Sequence, residues 1–185
     1  MIFNMNVDHK EQKAYHEAAH ALVSDVLFPG SVTLVTIKSI NEKVGGMTMC
    51  YHPDETDHDW KRSQILVGLA GRAVNELKYG LVDSGSSKDL QKVFDLVKYD
   101  SAYICSKGFE YRSLGYNTTS ARRERQEIAI SAAVDEYYRE VKKLLMDNDK
   151  YLIAIKEELL KKEILSTEDI ERIRSKQKVR FIQNL

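Results

Sequence analysis

Apolar residues recur at helical spacing along most of the chain, and two short segments have the character of β-strands instead. The first helix is predicted to begin after Asp8, which is placed to form a capping box with Glu11, and to end before Pro29. Its core-facing stripe consists of Ala14, Ala18, Ala21, Leu22 and Val26. Segment 32–37 is a predicted strand because it is rich in β-branched residues, and segment 45–51 is a second strand with glycines at its entry.

The rest of the chain is predicted to be helical. Four helices are expected at 60–79, 87–107, 121–146 and 150–161. Gly80 and Gly108 are placed to end the first two of these helices, and Ser166 with Asp169 starts a last short one. The pattern therefore indicates a mainly α fold (α+β), with a small two- or three-stranded sheet beside the first helix. We expect one domain, with a core at 1–110 and a C-terminal helical part at 111–185.

Composition and charge narrow the class of protein. The 185 residues include 28 basic and 28 acidic ones, so the net charge of zero gives no reason to expect nucleic acid or an anionic membrane as partner. The most apolar window, 65–71, is too short to span a bilayer, and no signal peptide is evident.

Cys50 and Cys105 show no CxxC spacing, which favours a reduced, cytoplasmic setting. The basic stretch 161–180 is expected to be a solvated face, with a docking segment for an acidic partner as the alternative.

The candidate chemistry lies in the first predicted helix, where His16, Glu17 and His20 form an HExxH pattern. Residues four apart lie on one helical face, about 5–6 Å between Cβ atoms, so both imidazoles can converge on one zinc ion. Glu17 adjoins the first histidine and is the candidate general base for a zinc-activated water. The alternative is a pair of solvent-facing histidines on an amphipathic helix.

A catalytic zinc site needs a third protein ligand, and the residues alone leave several open. The extended pattern HExxHxxGxxH is absent, so the candidates are His52, His58, Glu76 and Asp89. Asp89 also suits a helix cap together with Ser86, and Glu76 could instead orient a ligand histidine or be a surface charge.

Three blocks, YHEAAHALV, LAGRAVNELKYG and SGSSKDL, occur in the same order as in the protease domain of the FtsH family of ATP-dependent zinc proteases, which this sequence resembles from about residue 13 onward. The resemblance implies a helical metallopeptidase fold, zinc bound by His16, His20 and Asp89, and Glu17 as the catalytic base. It also implies an exposed strand that pairs with extended substrate and assembly into hexameric rings. The substrate-binding residues would be Gly45, Gly46, Met47, Thr48 and Met49.

The sequence also departs from this family. FtsH-like enzymes carry a membrane anchor and an ATPase module, and no GxxxxGK[ST] motif occurs in these 185 residues. ATP-driven unfolding would therefore not be intrinsic to these residues: substrates would arrive already unfolded or be delivered by a separate ATPase partner. Ala19 stands where the family has glycine, and Ser84 replaces a threonine. Asn75 replaces the first of the two acidic residues typical of the family after GRxA, so only the second, Glu76, is acidic here.

The leading hypothesis is a zinc metalloendopeptidase that hydrolyses unfolded polypeptides. The alternative is a catalytically idle module of the same fold that binds extended peptides or partner proteins. A zinc hydrolase of small-molecule amides is a third class, because HExxH chemistry does not specify the acyl group.

Overall fold

A computed structural model of the chain describes residues 8–39, 45–51, 58–80, 86–104 and 119–182. The helices in these ranges are α1 (His9–Leu27), α2 (His58–Tyr79), α3 (Ser87–Tyr99), α4 (Ser120–Asp147), α5 (Asp149–Lys162) and α6 (Thr167–Arg174). The strands are β1 (Val32–Thr36), β2 (Met47–Cys50) and β3 (Ile164–Ser166). The mainly α architecture with a small sheet is the predicted one.

Helix α1 is the central element, packed against α2 on one side and α5 on another. All five residues of its predicted apolar stripe are fully buried. Asp8 caps the helix by accepting from the backbone N–H of Lys10 at 2.8 Å and that of Glu11 at 3.4 Å. The Glu11 side chain turns instead to Lys156 of α5, 3.1 Å away. The predicted pairing of Asp8 and Glu11 is therefore present on the Asp8 side, while the Glu11 carboxylate links two helices.

The sheet has the order β2-β1-β3, with both neighbours antiparallel to β1. The sequence predicted the first two strands, slightly longer than observed, but did not locate β3. This strand is only three residues long, too short for a periodic signal. It forms because Glu163, with φ of 63°, ends α5, and because the Ser166–Asp169 capping box begins α6 immediately afterwards.

Helix α2 packs against α1, and α3 packs against α2, which brings the first turn of α3 close to α1. Gly80, with φ of +64°, ends α2 as predicted. Helix α3 ends at Tyr99 and continues as a π-helical turn, Asp100–Ile104. The remainder of the predicted 87–107 helix, its stop at Gly108 and the boundary at residue 110 lie outside the described residues. Across the described ranges, no helix combines the length and apolar character needed to cross a membrane.

Asp25 of α1, whose side chain is fully buried, links α1 to the C-terminal helices α5 and α6. Its carboxylate accepts hydrogen bonds from the Tyr151 hydroxyl at 2.8 Å, the Gly30 N–H at 3.0 Å and the Arg174 guanidinium. Arg172 pairs with Asp169 and Glu158 on the surface. Arg180 also pairs with Asp147. Three arginines of the basic stretch are thus engaged in intramolecular ion pairs, which neither interpretation of the sequence predicted.

Candidate metal centre

His16 and His20 lie one turn apart on α1, and their Nε2 atoms are 3.1 Å from each other. Asp89, from the first turn of α3, places its Oδ2 3.7 Å from Nε2 of His16 and 3.8 Å from Nε2 of His20. Within the described part of the chain, this is the group of His, Cys, Asp and Glu side chains whose ligand atoms converge as a metal site requires.

The three atoms suit a small divalent cation. Their separations define a point that is about 2.1 Å from each, within the range of roughly 2.0–2.2 Å for zinc bonds to imidazole and carboxylate. Two imidazole nitrogens with one carboxylate oxygen are also a donor set that zinc favours.

The ring of His20 is held in the state that a metal ligand needs. Its Nδ1 donates to the backbone carbonyl of Val67 at 2.7 Å, which leaves the lone pair on Nε2 free. Burial, followed by the nearby charge of His16, lowers the pKa of His20 to about 4. The imidazole is therefore neutral at physiological pH.

Asp89 does not act as a helix cap with Ser86, a role that the sequence also suited. Ser86 is the N-cap residue of α3 but makes no side-chain capping hydrogen bond. Burial raises the pKa of Asp89, but the hydrogen bond from His16 and the charges of both histidines outweigh burial, so the net pKa is lowered. Asp89 is consequently an ionised carboxylate facing the two imidazoles.

Gly71 of α2 provides the space for His16. A Cβ atom at this position would lie 2.2 Å from Cε1 and 2.6 Å from Nε2 of the His16 ring. No pattern in the sequence predicted a role for this residue. A glycine in a helix interior costs roughly 1 kcal/mol relative to alanine, and its presence in LAGRAV was the available signal of a close approach.

Glu17 points toward β2, and its side chain is buried. Its Oε2 accepts from the Thr48 hydroxyl at 2.9 Å, and a Cβ atom at Gly46 would lie 2.6 Å from its Oε1. Burial raises the pKa of Glu17, although His16 and the hydrogen bond from Thr48 oppose the increase. A carboxylate with a raised pKa is a stronger base than an exposed one.

The predicted substrate-binding segment borders the same cleft, which has a volume of about 730 Å³. Residues 45–48 line this cleft together with the histidines, Glu17 and Asp89. Met49 is 47% exposed and does not belong to the lining. Strand β2 lies at one edge of the sheet.

The structure places Glu76 away from the histidines, contrary to the idea that it ligates the metal or orients a ligand. Its two carboxylate oxygens accept from the Tyr138 hydroxyl and the Lys142 ammonium, each at 2.6 Å. Both partners belong to α4, so Glu76 joins α2 to α4. Two further candidate ligands, His52 and the side chain of His58, lie outside what the structure describes.

Comparison with protein families gives a match over nearly the whole chain. The model of peptidase family M41 matches residues 4–173. The match includes His16, Glu17, His20 and Asp89.

Curated proteins agree with this match. The chain is 34% identical over 182 residues to the ATP-dependent zinc metalloprotease FtsH of Lachnoclostridium phytofermentans, covering 92% of this chain and 30% of that protein. It is 32% identical over 171 residues to FtsH 1 of Alkaliphilus metalliredigens, covering 86% and 28%. A plant relative, FTSH 11 of Arabidopsis thaliana, is 29% identical over 172 residues, covering 90% and 21%. The chain thus spans less than a third of the length of these relatives.

Proposed function

The chain belongs to peptidase family M41, and from this premise we propose that it is a zinc-dependent endopeptidase that hydrolyses unfolded polypeptides. The proposal rests on one observation: the ligand atoms of His16 and His20 on α1 and of Asp89 on α3 converge on one point, beside the buried carboxylate of Glu17. The names of the relatives as zinc metalloproteases support the same reaction class.

His16, His20 and Asp89 would hold the zinc ion. When bound, zinc would act as a Lewis acid that polarises the scissile carbonyl and lowers the pKa of a water molecule. Glu17 takes the proton from the attacking water and passes it to the leaving amine. The contact with Val67 keeps His20 in the neutral, ligating tautomer throughout.

We assign peptide binding to β2, the strand at one edge of the sheet. An extended peptide forms hydrogen bonds with backbone groups at a sheet edge, so it is recognised mainly by its extended conformation. A substrate bound in this way must be unfolded. Residues 45–48 line the same cleft as the two histidines, so a peptide along β2 would pass the metal centre.

ATP dependence, which the relatives' names state, would require an ATPase domain or subunit outside these 185 residues. We extend the proposal to a hexameric assembly and a cytoplasmic location, as the family resemblance and the sequence imply. These parts of the proposal do not affect the chemistry at the metal centre.

The test compares zinc-loaded wild type with Glu17→Gln in cleavage of casein. We expect the variant to keep its zinc and to lose activity by about a hundredfold or more, the contribution typical of a general base. Glu157→Gln is the matched control, since Glu157 is exposed on α5, and it should retain full activity. A folded, zinc-loaded wild type that binds casein without cleaving it would favour the idle peptide-binding module instead.

A further inference from the structure

Strand β2 contacts the candidate base directly, through Thr48. The Thr48 hydroxyl lies 2.9 Å from Oε2 of Glu17 and 3.1 Å from the Glu17 backbone oxygen. Gly46, which directly precedes β2, also lies against Glu17: a Cβ atom there would be 2.6 Å from Oε1, so the missing side chain leaves room for this oxygen. The Glu17 carboxylate is therefore held between the Thr48 hydroxyl and the backbone of Gly46.

Few other donors could replace the hydrogen bond from the Thr48 hydroxyl to the Glu17 carboxylate. A hydroxyl has one proton to donate, and an ionised carboxylate is a stronger acceptor than a backbone carbonyl. Glu17 is only 6% exposed, so solvent has little access to replace a lost donor. Without the hydroxyl, the Glu17 carboxylate would lose the hydrogen bond that fixes its orientation and could rotate away from it.

The Thr48 hydroxyl is already hydrogen-bonded to Glu17, so its side chain has little capacity left to bind substrate. We propose that Thr48 is a positioning residue, whose hydroxyl fixes the carboxylate of the general base. This inference rests on the proposed peptidase function for its kinetic consequence. It reassigns Thr48 from the role of substrate contact that the family resemblance implied.

The experiment uses Thr48→Val, which keeps the branched shape, and Thr48→Ser, which keeps the hydroxyl. In cleavage of a fluorogenic peptide by zinc-loaded protein, Thr48→Val should lower kcat about tenfold or more, as expected for losing a hydrogen bond to a charged group. KM and zinc content should be unchanged. Thr48→Ser should remain close to wild type.

Thr33→Val is the matched control. Thr33 lies on β1 and its hydroxyl donates to the Met49 backbone carbonyl at 3.1 Å, so the variant also removes a threonine hydroxyl bonded to β2. It leaves Glu17 untouched and should not change kcat. A loss of kcat equal to that of Thr48→Val would overturn the proposal, because it would point to a general weakening of β2.

A second readout does not depend on activity. Crystal structures of wild type and Thr48→Val report the side-chain conformation of Glu17, which should change only in the variant. The proposal fails if Glu17 stays in place and kcat is unchanged, if Thr48→Ser is as impaired as Thr48→Val, or if KM rather than kcat responds. A wild type that cleaves no peptide would refute the peptidase function, while the conformation of Glu17 would still decide the role of Thr48.

Discussion

His20 donates from Nδ1 to the backbone carbonyl of Val67 across 2.7 Å, which joins α1 to α2 at the imidazole ring itself. Because the acceptor is a main-chain atom, any side chain at position 67 preserves the contact. The ring orientation is therefore set by the packing of two helices. Small shifts between α1 and α2 should consequently appear first as changes in metal affinity.

The identity of the third ligand can be tested by metal analysis. Asp89→Ala should lose most of its zinc, because only two protein ligands remain. Glu76→Ala should keep one ion per chain and lose about 1 kcal/mol of stability, since its partners are on α4 and partly exposed. Zinc content by mass spectrometry and urea unfolding are the measurements. Equal loss of zinc in both variants would contradict the assignment of Asp89.

Gly71→Ala should disturb the metal centre specifically. The new Cβ would lie 2.2 Å from the His16 ring, so the ring or α2 must move, and we expect weaker zinc binding in a chelator competition assay. Gly80→Ala is the control: apart from its chain neighbours, no atom of the described residues lies within 4 Å of its would-be Cβ, but its φ is +64°. That variant should lose about 1 kcal/mol of stability and bind zinc as wild type does.

The buried ion pair between Asp25 and Arg174 should be sensitive to removal of one partner. Asp25→Ala leaves the guanidinium and the Tyr151 hydroxyl without their acceptor, and we expect a loss of about 3–5 kcal/mol in the free energy of unfolding. Tyr151→Phe removes one hydrogen bond and should cost about 1 kcal/mol.

Asp95→Ala, an exposed position on α3, is the control for Asp25→Ala and should change stability by less than about 0.5 kcal/mol. Denaturant unfolding measures all three variants. An Asp25→Ala protein as stable as wild type would mean that this carboxylate does not fasten α6 to α1.

Asp169 should make stability depend on pH at acidic values. Hydrogen bonds from Lys162, followed by Arg172, lower the pKa of Asp169 from 3.8 to about 2. A lowered pKa in the folded state means that the ionised form stabilises the fold. This contribution is fully present above about pH 4 and disappears as the pH falls toward 2.

Asp169→Asn should therefore be less stable than wild type at pH 7, and the difference should shrink between pH 4 and pH 2. Urea unfolding of both proteins over a pH series measures it. A difference that stays constant across this range would indicate that the carboxylate acts only as a cap for α6, without the ion pairs.

Local sequence patterns were sufficient for most of the fold. Asp8, Gly80 and the Ser166–Asp169 pair act at the helix ends where they were predicted, because capping is decided within a few residues. Strand β3 could not be located in this way. It is defined by pairing with β1, a strand far away in sequence, and three residues carry no period of their own.

The candidate site was likewise predicted from the sequence only in part. The helical spacing of His16 and His20 predicted that both rings share a face, which the structure shows. The choice between Asp89 and Glu76 depended on how α2 packs on α1 and α3 packs on α2, which no local pattern records. The same applies to Gly71 and Thr48, whose contacts with His16 and Glu17 exist only once the tertiary structure has formed.

The position of β1 between β2 and β3 has a consequence for the order of folding. Its pairing with β2 closes a short loop, whereas its pairing with β3 must wait for α5, so that contact carries a larger loop-closure entropy. During synthesis on the ribosome, β1 emerges long before β3 and presents an unpaired edge in the meantime. Such an edge can pair with another nascent chain, so the demand for chaperones should last until β3 has been made.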